Sequence, residues 1–128
     1  MVVTQKKEDV GAEVDPTVGL ASVNEVHLVG RLSSALVERE LASGDVLGTF
    51  RVVAERMEPA RSGRRRVDAI DCHVWAVRLR RKASGWRIGD VVELDGALRR
   101  RFFRSGSGVH SMTEVEVMKA RLVRRVSS

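Results

Sequence analysis

The segment Arg99-Arg100-Arg101-Phe102-Phe103-Arg104 places four arginines around two phenylalanine rings within six residues. Guanidinium groups neutralise phosphates and flat rings lie against bases, so this adjacency suits a single-stranded nucleic acid. On a strand, side chains alternate. Arg99, Arg101 and Phe103 then share one face, and Arg100, Phe102 and Arg104 share the other. Val92, Leu94, Gly96 and Leu98 have the parity of Phe102 and read as core. The candidate binding set is therefore Phe103, stacking on a base, with Arg99 and Arg101 on phosphates. The plain alternative is a solvated arginine face with Phe103 filling a local apolar patch.

Other residues could extend such a site. Trp75 has the parity of Asp71 and His73, opposite the core set Ile70, Cys72, Val74 and Ala76. It serves either as a second stacking platform or as filling at a subunit interface, two surfaces rich in tryptophan. Arg64, Arg65 and Arg66, with Arg56 and Arg61, make residues 56–66 a cationic loop around Pro59, Ser62 and Gly63. Loops at the mouth of a barrel complete nucleic-acid grooves, whereas a solvated charge run only steers polyanions. Arg78, with Arg80, Arg81 and Lys82, adds a basic group on a short helical stretch, and Trp86 anchors that stretch.

Catalytic chemistry finds little support. Cys72 and His73 are adjacent, so on a strand they face opposite ways and cannot grip one ion together. One cysteine and three scattered histidines argue against a structural zinc, which needs four ligands. Asp68, Asp71 and His73 hint at metal-assisted nuclease chemistry, but no third acid accompanies them. No G-x-x-x-x-G-K-[ST] or G-x-G-x-x-G loop is present. Cys72, on the core face, reads as inert. The expectation is a protein that is not an enzyme and uses no cofactor and no metal.

The elements that must position these residues follow from periodicity. Residues 26–32, 47–54, 67–77, 91–103 and 113–126 read as strands, residues 78–86 as a short helix, and residues 105–108 as a hairpin tip. Five strands with a helix between the third and fourth is the connectivity of an all-β OB-fold barrel. A β-sandwich needs about seven. Residues 1–22 lack periodicity and contain Pro16, so they read as a flexible N-terminal tail before a single domain, 23–126.

Composition agrees with this partition. The chain has 128 residues, 43% hydrophobic and 31% charged, as in a soluble globular domain. Its apolar runs fall short of the roughly 20 residues of a membrane span, and no signal-peptide core follows Lys6-Lys7. The single cysteine excludes an intrachain disulfide, as in a cytoplasmic protein. The net charge is +6, with two lysines against four acids in residues 1–22 (−2) and +8 in the remainder. A basic domain draws polyanions. The preference for arginine over lysine reads either as suited to planar phosphate contacts and stacking on bases or as the mark of a GC-rich genome on solvated faces, and the second reading does not account for the clustering of the arginines.

A series of stretches begins with Val23-Asn24-Glu25-Val26-His27-Leu28-Val29-Gly30-Arg31-Leu32, followed by Ser43-Gly44 and Leu47-Gly48-Thr49-Phe50, and by Asp71-Cys72-His73-Val74. It continues through Gly89-Asp90-Val91-Val92-Glu93-Leu94-Asp95-Gly96-Ala97-Leu98-Arg99 and Thr113-Glu114-Val115, in order, over residues 23 to about 123. Together they carry a resemblance to the bacterial single-stranded DNA-binding proteins. It implies an OB-fold that binds single-stranded DNA with little sequence preference, and a homo-oligomer, a tetramer or alternatively a dimer, with His73 at the subunit interface. Within one chain, His73 is instead a half-buried histidine held by Asp71 or backbone. The chain departs from the family by placing Cys72 where a stacking tryptophan is usual and Arg78 where a phenylalanine is usual. Phe103 stands where the family has a further tryptophan. The basic ending Arg124-Arg125-Val126-Ser127-Ser128 replaces an acidic tail, so recruitment of partner enzymes through such a tail is not expected. An OB-fold protein adaptor and an RNA-binding module are the competing readings.

Overall fold

The computed structural model describes residues 22–57 and 66–127, together with the backbone of Val2–Val3. Apolar residues, many of them β-branched, recur along the strands β2 (Val26–Glu40), β3 (Val46–Glu55), β4 (Val67–Val74), β5 (Val91–Ser105) and β6 (Gly108–Arg124). Antiparallel ladders join β2 to β3, β3 to β4, β5 to β6 and β2 to β5. A parallel pairing of β4 with β6, at Cys72↔Val115 and His73↔Glu116, closes the circuit. A helix, α1 (Val77–Ala83), bridges β4 and β5. This is the five-stranded OB barrel expected from the order of elements.

The barrel is filled by inward-facing residues, among them Leu28, Leu32, Val52, Val74, Leu94 and Val115, each at most 2% exposed. Trp86 plugs one end edge-on to Phe50, with ring centroids 5.5 Å apart. Two members of the basic group on the helix, Arg80 and Lys82, tie it to the barrel. Arg80 Nε donates to the Trp75 carbonyl at 3.0 Å and its Nη1 to Glu38 at 2.8 Å, while Lys82 Nζ donates to the Ala120 carbonyl at 2.9 Å.

Two features depart from the sequence reading. The short strand β1 (Val2–Val3) pairs with Val26 and His27, on the edge of β2 that β3 leaves open before Arg31, so these two residues join the sheet rather than a tail. Residues 4–21 lie outside the described residues. In addition, β2 continues eight residues past Leu32 to Glu40. Register shifts at Leu32/Ser34 and Ser34/Val37 break the alternation there, which hides the strand from a period-two reading.

A buried carboxylate ties the chain's last strand to the start of β5. Asp90 Oδ2 accepts the Arg87 N–H and Oδ1 the Val126 N–H, both at 2.8 Å, and Arg125 Nη1 lies 3.1 Å from Oδ2. The two backbone N–H groups, with Arg125 beside them, hold its carboxyl below the usual carboxylate range against the cost of burial. The stabilisation is therefore present above the unfolded-state value of about 3.9 and is lost as pH falls through the lower folded value. Asp90→Asn is expected to lower the thermal midpoint at neutral pH, with the gap to the parent closing below about pH 4. Melting curves of both proteins across pH check this, and a gap that stays constant down to the acid limit contradicts it.

Candidate nucleic-acid interface

Two hairpins run out beyond the barrel and frame a cleft. β2 pairs with β5 from Val26↔Gly96 to Arg31↔Val91, so among the described residues β5 from Arg99 onward has β6 as its only ladder partner. The outer half of β2 is likewise paired, among the described residues, to β3 alone. Between these arms lies a cleft of about 300 Å³ whose lining includes Val37, Thr49, Arg51, Asp71, Arg101 and Glu114. A neighbouring hollow of about 240 Å³ is lined by Val37, Arg39, Leu47, Thr49 and Arg101. Arg101 borders both.

The charges around the cleft are organised by carboxylates. Glu114, buried, accepts from His73 Nδ1 on one oxygen and from Arg101 Nη2 on the other, each at 2.8 Å. Glu116 holds Arg99 Nε at 2.8 Å, and Asp71 holds Arg51 Nε at 2.8 Å. These pairs fix the guanidinium planes and leave further N–H groups for a ligand. They also cancel much of the charge on that face. Arg39 has no carboxylate partner among the described residues.

The sequence-derived candidates divide accordingly. Arg99, Arg101 and Phe103 share one face of β5, as alternation requires, and Phe103 is 42% exposed with its ring stacked on His110 at 5.6 Å. Trp75 is 40% exposed just past β4, edge-on to His73 at 6.1 Å. Arg56 and Arg66 sit together at the far end of the β3–β4 hairpin, where Arg56 Nη2 meets Asp68 at 3.0 Å and its N–H donates to the Arg66 carbonyl. Arg78 is exposed on α1, outside the cleft lining. Arg64 and Arg65 lie outside the described residues. His73 is buried and held by Glu114, not by Asp71 or backbone.

Phe102 requires a correction. Its parity predicts core, yet it is 65% exposed, because the arm has left the barrel and no interior remains beneath it. Sequence reasoning also passed over Arg39, Arg51, Thr49 and Glu114. The signal for Arg51 and Thr49 was their alternation with the buried Phe50 and Val52 on β3. Cys72 is buried, and burial, helped by the charges of Asp71 and Glu114, pushes its thiol up to about 12, so it is neither a nucleophile at neutral pH nor a platform. Among the described residues no group of three His, Cys, Asp or Glu side chains could hold a metal ion.

The family model of the single-strand binding proteins matches residues 23–123, the whole barrel with both arms. The chain belongs to the single-strand binding protein family. It is 30% identical over 95 residues to single-stranded DNA-binding protein A of Bacillus subtilis, covering 73% of this chain and 55% of that protein. It is 29% identical over 86 residues to a single-stranded DNA-binding protein of Bacillus cereus, covering 67% and 51%. The chain thus spans little more than half the length of these curated relatives. Among solved structures, Plasmodium falciparum SSB in complex with ssDNA superposes with a TM-score of 0.67 at 21% identity, covering 84% of this chain and 98% of that one. A mitochondrial single-stranded DNA-binding protein from S. cerevisiae gives 0.65 at 12% identity, covering 82% and 99%. At these identities the two structures speak for the family's fold.

Proposed function

We propose that the protein binds single-stranded DNA with little sequence preference and without catalysis, in support of DNA replication, recombination or repair. The supporting observation is the cleft between the two arms, with Arg101 on its border and the exposed Phe103 ring farther out on the same strand face, in a basic member of this family. Phosphates exchange with or add to the carboxylate partners of Arg99 and Arg101, and a base lies on Phe103. Trp75 offers a second ring, and the cations of the β3–β4 loop, Arg56, Arg64, Arg65 and Arg66, steer the strand. Arg78 contributes at most to this outer field. The Arg99–Glu116 pair is solvent-accessible and costs little to exchange for a phosphate, whereas Glu114 is buried, so Arg101 keeps that partner and offers its remaining N–H groups. A homo-oligomer, tetramer or dimer, acting in the cytoplasm completes the proposal. No described helix is long and apolar enough to cross a membrane.

Fluorescence anisotropy with labelled oligo(dT) over a salt series tests the reading. The logarithm of the association constant is expected to fall linearly with log salt, by roughly 0.7 for each phosphate neutralised. Absence of binding at low salt removes the proposal and favours the protein-adaptor reading. Equal competition by a matched oligo(U) shows that the sugar is not discriminated, since that requires a contact to the 2′-OH.

A further inference from the structure

The β5–β6 arm has two faces, and their charges differ. On the face shared with Phe103, Arg99 and Arg101 are each matched by a glutamate, Glu116 and Glu114. The opposite face carries Arg100, Phe102 and Arg104 on β5, with Val109, Ser111 and Thr113 facing them on β6. No acid occurs among those six, and no carboxylate pairs with Arg100 or Arg104 among the described residues. The arm therefore holds its uncompensated positive charge on the face that has the parity of Leu94 and Leu98.

That side is also prepared for a base. Phe102 is 65% exposed, and the Arg100 guanidinium lies over its ring, 5.6 Å from the centroid, while donating to Ser111 Oγ at 3.0 Å. One ring face is thus covered by a cation, which leaves the other for a flat partner. At the root of the same face, where β6 parts from β4, a cleft of about 260 Å³ has Ile70, Leu98, Thr113 and Val115 in its walls. The acids at its edge, Asp68, Asp71 and Glu114, are already engaged by Arg56, by Arg51, and by Arg101 with His73.

We infer that this second face of the arm, Arg100, Phe102 and Arg104, is a further binding surface for single-stranded nucleic acid, so that the arm is gripped by the strand on both sides. The inference rests on the proposed function and extends it to residues outside the first cleft. A base stacks on Phe102, and Arg100 and Arg104 meet the flanking phosphates. Charge decides for a polyanion over a second copy of this chain. A symmetric contact of this face with its own copy would set arginine against arginine, whereas a phosphate backbone supplies the missing anions.

The test uses the full chain and oligo(dT) of about 16 nucleotides, the upper end of what one OB-fold covers. Phe102→Ala is expected to weaken binding by about 5- to 150-fold. Arg100→Ala and Arg104→Ala should each lower the salt slope by about 0.7, the loss of one phosphate contact. Because Phe102 is exposed, the melting temperature of Phe102→Ala should match the parent's, which separates a lost contact from a lost fold. If the parent binds oligo(dT) and Phe102→Ala binds as tightly, this inference is overturned while the proposed function stands. If the parent itself does not bind, both fall. If Phe102→Ala changes only the sedimentation mass and not the affinity, the face belongs to a subunit contact and the inference is wrong.

Discussion

Gly96→Ala should cost the barrel about 4 kcal/mol or more, at the far end of what single substitutions do. A Cβ built at Gly96 falls 1.9 Å from the Glu116 carbonyl oxygen and 2.9 Å from its carbon, with Val117 Cα at 3.2 Å. All three atoms are backbone of the neighbouring strand, so no side chain can swing away to make room. The contact sits where the β5–β6 register slips between Asp95 and Gly96 and leaves Met118 outside the ladder. Only a glycine lets the strands approach this closely beside a bulge. Gly106→Ala is the natural control, since nothing lies within 4 Å of a Cβ there. Its effect should stay within about 0.5 kcal/mol. Denaturant unfolding of the two variants against the parent measures both. Equal midpoints for Gly96→Ala and Gly106→Ala would sink the steric argument.

Phe103→Ala should leave the fold intact and weaken oligo(dT) binding by roughly 1–3 kcal/mol, about 5- to 150-fold. The ring is 42% exposed on an arm that has left the barrel, so removing it opens no cavity in the core. What it contributes is a flat apolar surface, already oriented by His110 at 5.6 Å and an interplanar angle of 29°. Phe103→Trp should hold or tighten binding, because the larger ring offers more stacking area. Affinity unchanged in Phe103→Ala, with the parent binding normally, would show that the strand does not use this face.

Much of the architecture was legible in the chain. The alternation of residues 26–32, 47–54 and 91–98 reports half-buried strands because one face of each meets the barrel interior. Asp90, beside a glycine with positive φ, carries the clamp that anchors β6, and both residues lie within one of the stretches that carry the family resemblance. The shared face of Arg99, Arg101 and Phe103 also followed from parity alone. The length of β2 did not, because its two register shifts scramble the alternation on which the reading depends. Phe102 misled for a related reason. Parity tells which side of a strand a residue occupies, but not whether anything covers that side.

The sequence by itself determined the order of strands and helix, the basic balance and the clustering of arginines with rings on one strand. These depend on neighbours near in the chain, or on composition. Only the tertiary structure decided which of those arginines are neutralised. Arg99 meets Glu116 and Arg101 meets Glu114 through a register set between two different strands, and His73 reaches Glu114 from a third. Coulomb attraction falls off with distance in space and takes no account of separation along the chain. That Arg100 and Arg104 have no carboxylate partner among the described residues therefore emerges only when the strands are laid side by side.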